Sequence, residues 1–212
     1  MHREPGFGVP VVAPALTSGI DLKFARGIGF AVTLVAASVA VAQPFVATGG
    51  CRDGAPNGAY ELRATEGRLR ISGAYAKGRR TGTFLFWAAD GVRIAVIPYD
   101  DGAKSGTVAT WYPETGPRGQ SRRKLEAPYI EDVLHGVTRA WYANGRLRGE
   151  YRYERGELAE ATAWSESGGR LPDADARRVA AADRLAAEKL HATLERMLAD
   201  NAPHCGGPGR GP

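Results

Sequence analysis

The sequence predicts a mainly β protein: an extended antiparallel meander of repeated β-hairpins, with one C-terminal amphipathic α-helix packed along it. Three observations predict this. A spacing of 24 residues recurs between glycines (Gly58, Gly82, Gly106), and 28 glycines and 13 prolines in 212 residues favour many turns over a helical bundle. After Pro172 the pattern changes abruptly to apolar residues three and four apart.

In chain order, residues 1–42 are expected to be a signal peptide. Lys23 and Arg26 precede an apolar run at 27–42 (GIGFAVTLVAASVAVA), which ends in Ala40-Val41-Ala42, the small-x-small pattern of a cleavage site. The run would reach only about 24 Å as a helix, short of the roughly 30 Å hydrocarbon core. A cleaved leader therefore fits better than a membrane span. The mature chain is expected to start at Gln43, without a transmembrane segment, in the periplasm or outside the cell. Residues 43–55 read as a linker. Cys51 lies too far beyond the apolar run for a lipid-anchored start, and in an exported chain Cys51 and Cys205 read as one disulfide. Net charge is +5, and residues 43–212 keep 25 basic against 21 acidic side chains, too mild a balance to imply nucleic acid.

Residues 56–171 read as about five hairpin repeats. Gly58, Gly82 and Gly106 are followed by Gly136, delayed by six extra residues in the third unit. A second column is Tyr-x-x-Gly: Tyr75 with Gly78, Tyr99 with Gly102 and Tyr153 with Gly156, whereas Tyr129 is followed by Asp132. A third holds all four tryptophans, Trp87, Trp111, Trp141 and Trp164. Each unit reads as two strands around a tight turn. In the fourth, 136–142 (GVTRAWY) and 147–153 (LRGEYRY) flank Asn144-Gly145, a pair that favours positive φ at both positions. A degenerate fifth unit occupies 159–171. Such units bury their faces only against neighbours.

The run Leu134-His135-Gly136, then Trp141-Tyr142-Ala143-Asn144-Gly145 and Tyr153-Glu154-Arg155-Gly156, resembles the variant MORN repeat of the bacterial YwqK-type antitoxin family. The likeness spans 56–171 and is strongest in the fourth unit. It implies a hairpin sheet used as an interaction or scaffold surface, with protein or phospholipid partners. The toxin-neutralising antitoxin or immunity role that the family label implies is the alternative function, weakened by the export signal.

The tryptophan column reads as structural, one aromatic per hairpin packing on the next, with a stacking platform for ligands as the alternative. The tyrosines and column glycines also read as structural. His135 sits at a repeat turn, while His191 and His204 have no second ligand at metal spacing, so no metal site is expected. No phosphate-loop or nucleophile-elbow motif occurs; the expected reading is a non-enzyme without cofactor. The candidate binding residues are Arg118, Arg122, Arg123 and Lys124, placed in a loop of the third unit. They would contact an anionic lipid, an acidic glycan or an acidic protein patch.

Residues 173–201 are expected to be the helix, with an apolar stripe of Val179, Ala182, Leu185, Ala186, Leu190, Leu194, Met197 and Leu198, and 202–212 a disordered tail. Eight to ten strands at about 4.8 Å span roughly 40–48 Å, and 29 helical residues cover about 43 Å. A helix running back along the sheet would bring Cys205 to Cys51. The chain as a whole is expected to bind a protein or cell-envelope component.

Overall fold

The structure is a computed structural model and describes residues 45–115 and 121–206. The expected leader, its cleavage site and Arg118 lie outside the described residues.

Strands β1 (Phe45–Arg52), β2 (Ala55–Ala64), β3 (Leu69–Ala76), β4 (Arg79–Trp87) and β5 (Arg93–Asp100) form the first half of one antiparallel sheet. It continues through β7 (Gly106–Thr115), β8 (Ser121–Ile130), β10 (Gly136–Trp141), β11 (Leu147–Glu154) and β12 (Glu157–Ala163). The two-residue strands β6 (Ala103–Lys104) and β9 (Val133–Leu134) pair with β5 and β8 at the turn edge. Every strand on the main path neighbours those before and after it, so the sheet is an open meander as expected. The degenerate fifth unit is β12 with an isolated bridge between Trp164 and Arg170.

The repeat begins one strand earlier than the reading of 43–55 as a linker allows. β1 pairs along its length with β2, and Cys51 faces Pro56 as Tyr75 faces Arg80, Tyr99 faces Lys104 and Tyr129 faces Leu134. Gly54 lies 24 residues before Gly78 and, like it, adopts positive φ. Residues 45–52 are thus the second strand of a preceding half-unit. Their weak apolar content (FVATGGCR) concealed it.

Successive strand residues face opposite ways. One face carries Tyr60, Leu62, Ile71, Tyr75, Phe84, Phe86, Ile97 and Tyr99 in one cluster. Leu125, Ala127, Leu134, Ala140, Tyr151 and Tyr153 form a second. In the first, Tyr60, Tyr75, Phe84 and Tyr99 meet edge to face at centroid separations of 5.3–5.6 Å, the preferred arrangement of ring quadrupoles. Each hairpin carries a bulge near its tight turn, for example between Phe86 and Trp87 opposite Ala95 and Arg93.

Helix α1 (Asp173–Asp200) covers this face. Pro172 fixes its entry and its carbonyl accepts from the Asp175 and Ala176 amides. Asp173 and Asp175 favour the positive end of the helix dipole. Leu194 and Leu198 join the first cluster and Ala180 the second, where a small side chain lets the helix approach closely. The buried line is Ala176, Ala180, His191, Leu194 and Leu198. This corrects the expected stripe in its N-terminal half: Leu185 is 52% exposed, and Ala182 and Ala186 are also exposed. Asp183 takes the sheet-facing place instead, because the Tyr151 hydroxyl donates to it at 2.7 Å and Arg148 Nε at 3.2 Å. Apolar spacing alone misses a contact line that passes through polar side chains.

Past Asn201, whose carbonyl accepts from the Tyr60 hydroxyl at 3.0 Å, the chain reaches the first hairpin. Cys205 is disulfide-bonded to Cys51, Cα atoms 5.7 Å apart, and Pro203 packs beside Gly49. Residues 202–206 of the expected tail are therefore held. Residues 207–212 lie outside the described ones.

Candidate functional site

Two places on the scaffold concentrate chemistry: the face turned away from α1, and a cleft beside the third repeat turn. The first is organised by the tryptophan column. Trp87, Trp111, Trp141 and Trp164 directly follow Phe86, Thr110, Ala140 and Ala163, all buried on the α1 side, so by alternation they point the other way. Between them in the same row stand the register partners Arg93, Arg123 and Leu147. The Arg93 and Arg123 guanidiniums lie 4.5 and 5.4 Å from the Trp111 ring centroid, which leaves that indole 7% exposed. The other three indoles are half-buried. Leu85 and Val96 occupy the adjoining row, with ion pairs Arg63–Glu61 and Arg139–Glu150 at its flanks (2.9 and 2.7 Å).

Of the expected basic group, the described residues Arg122, Arg123 and Lys124 do not converge on one place. Residues 122–124 belong to strand β8 rather than to a loop, and consecutive strand residues diverge. Arg122 donates to the Ala143 carbonyl, and Arg123 pairs with Glu126 while stacking on Trp111. Lys124 sits 5.5 Å from the Tyr112 ring centroid and lines a small cavity beneath α1 with Asp183. Arg123 faces Trp111 as Arg93 faces Trp87, so Arg123 and Lys124 hold ordinary repeat positions, and Arg122, Arg123 and Lys124 are engaged by three separate neighbours.

The tyrosine column lies inside the fold. Tyr75, Tyr99 and Tyr153 are buried and Tyr129 half-buried, all on the face covered by α1. Cations lie over three of the rings: Arg80 over Tyr99 at 4.2 Å, Lys104 over Tyr129 at 5.6 Å and Arg184 over Tyr153 at 5.9 Å. Burial pushes the phenols of Tyr99 and Tyr151 well above their usual range; for Tyr151 the hydrogen bond to Asp183 adds to it. Glycines 58, 82, 106 and 136 all adopt positive φ. At Gly106 (φ 110°) an added Cβ would also lie 3.0 Å from Pro98 Cγ.

The second place was missed in reading the sequence. Between the turn at Glu131-Asp132 and α1 opens a cleft of about 380 Å3, lined by Lys104, Tyr129, Asp132, Arg184, His191 and Glu195 among others. The Lys104 ammonium lies 3.3 Å from Asp132 and 3.5 Å from Glu195, which is also 3.6 Å from Arg80. His191 is 4% exposed, packs edge-on against Tyr129 at 6.1 Å, and has no hydrogen-bond partner for its buried Nε2. Burial, then the Lys104 charge, hold it down to about 4 against the pull of Glu195 and Glu188. The signal available in the sequence was Asp132, the one departure from glycine in its column.

No group of three or more His, Cys, Asp or Glu residues able to hold a metal occurs among the described residues. No helix among them is long and apolar enough to cross a membrane. No protein-family model matches the chain, and neither does any curated protein.

Proposed function

We propose that the chain is an exported, non-catalytic binding module that offers the sheet face opposite α1 to a protein or another cell-envelope component. The observation that carries this reading is the difference between the two faces. α1 and the disulfide close one, while the other holds half-exposed Trp87, Trp141 and Trp164 in a row. Indoles at a surface supply large contact area at low entropic cost, and arginines beside them add directional donors. An oxidised cysteine pair and the apolar run at 27–42 support export. The shared register of successive hairpins supports the resemblance to variant MORN repeats and the interaction surface which that family implies.

Photo-crosslinking in expressing cells tests the assignment. A photoreactive residue at Thr83 or Val137, exposed on the outer face, should capture a partner in the envelope fraction, and one at Arg178 or Leu185 on the solvent side of α1 should not. Capture from α1 alone, or retention of the uncleaved chain in the cytosol, overturns it.

A further inference from the structure

The sheet edge nearest the cleft is built from two-residue turns in which both residues adopt positive φ. Asp53-Gly54, Lys77-Gly78, Asp101-Gly102 and Arg155-Gly156 place glycine second, where it costs least. The third repeat places Glu131-Asp132 there, at φ 49° and 66°. In return it gains a carboxylate at the mouth of the 380 Å3 cleft, a volume within the range of small-molecule sites.

Lys104 is the group available to a ligand. Its separations of 3.3 and 3.5 Å from Asp132 and Glu195 exceed the roughly 2.7–2.9 Å of a tight charge-assisted bond. Both carboxylates have a second partner: Asp132 accepts from the Lys104 backbone amide at 2.9 Å, and Glu195 has Arg80. The ammonium can therefore turn to a ligand without stranding either. His191 lines the same cleft, and its Nε2, buried and without a hydrogen-bond partner, leaves a desolvation otherwise uncompensated at the cleft wall.

The charge pattern selects the ligand class. Three carboxylates (Asp132, Glu188, Glu195) and two cations (Lys104, Arg184) surround the cleft. A simple anion is opposed by the carboxylates and a simple cation by Lys104 and Arg184, whereas a molecule bearing both signs meets an opposite charge at each end. Val133, Leu134 and the Tyr129 ring give an apolar wall for a side chain. We infer that this cleft binds a small zwitterion, a free amino acid or short peptide, with its carboxylate on Lys104 and its ammonium among Glu188, Glu195 and Asp132. The cleft is separate from the outer sheet face, so either assignment can fail alone.

Titration calorimetry and ligand-observed NMR on the mature protein decide it. The probes are the proteinogenic amino acids, their D forms and simple dipeptides, with acetate and methylamine as singly charged controls. At least one zwitterion should bind and both controls should not. Affinity should fall about tenfold or more in Lys104→Met, a loss of roughly 1.4 kcal/mol. Asp132→Gly restores the residue that the other turns use, so it should keep the fold while weakening binding. Absence of binding across the probes, acetate or methylamine binding as tightly as the amino acids, or affinity surviving both substitutions would each overturn the inference.

Discussion

Cys51 and Tyr75 hold the same place in successive hairpins: Cys51 faces Pro56 across the ladder as Tyr75, 24 residues later, faces Arg80. The tyrosine column lies on the side that α1 covers, so a cysteine in that column is presented to the chain leaving the end of the helix. The disulfide to Cys205 thus uses a position that the repeat had already aimed at the helix.

Opening that bond should cost much of the fold's stability. The cysteines are 154 residues apart, and a closed loop of that size corresponds to about 5 kcal/mol in the chain-entropy model. Cys51→Ser with Cys205→Ser should lower the urea midpoint strongly, with α1 losing hydrogen-exchange protection from its C-terminal end. A midpoint unchanged from the oxidised protein would show that the link adds nothing.

Acid should weaken the fold through His191. Its folded value of about 4 lies below the usual 6.5, so the unfolded chain takes up the proton first as pH falls. The stability contribution is complete above 6.5, declines between 6.5 and about 4, and levels off below, a loss of about 3 kcal/mol. Urea denaturation across that window should show the slope in the native protein and a much smaller one in His191→Leu.

Two glycines of one column should respond unequally to alanine. Gly58 (φ 98°) has open space where a Cβ would go, but at Gly106 (φ 110°) the Cβ would press on Pro98. Left-handed strain alone costs about 1 kcal/mol, and the contact should raise Gly106→Ala to about 2 kcal/mol or more. Equal melting temperatures for the two variants would contradict this.

The tryptophans should likewise separate. Trp111 is 7% exposed between two guanidiniums, and truncation to alanine should cost about 3 kcal/mol. Trp87→Ala, at a half-buried position, should cost less and act more on partner binding. Thermal unfolding of both variants, alongside the crosslinking yield, checks the pair.

Much of this architecture was legible because the repeat is written in residues with few structural substitutes. Glycine columns fixed the turns, Asn144-Gly145 marked a hairpin, and the length match between sheet and helix anticipated the path from residue 173 to Cys205. The half-unit at Phe45–Arg52 was hidden because its tyrosine place holds Cys51 and its strand is small and polar. Arg122, Arg123 and Lys124 do not converge because proximity in sequence is not proximity in a strand, where they take different neighbours. The cleft was hidden because Lys104, Asp132 and His191 come from distant segments, and neither His191 nor Asp183 belongs to the apolar stripe by residue type.

The two-residue turns along the sheet edge carry a kinetic consequence. Each strand finds its partner a few residues away, so loop-closure entropy is small for every hairpin and contact order stays low across the sheet. Hairpins can zip in succession from the N-terminal end, each templating the next. Only two steps reach across the whole domain, the docking of α1 and the joining of Cys51 to Cys205, and the second cysteine cannot arrive before the helix is laid down. With no other cysteine in the chain there is no competing pair to resolve, and the covalent ring closes last, sealing an order of assembly already completed.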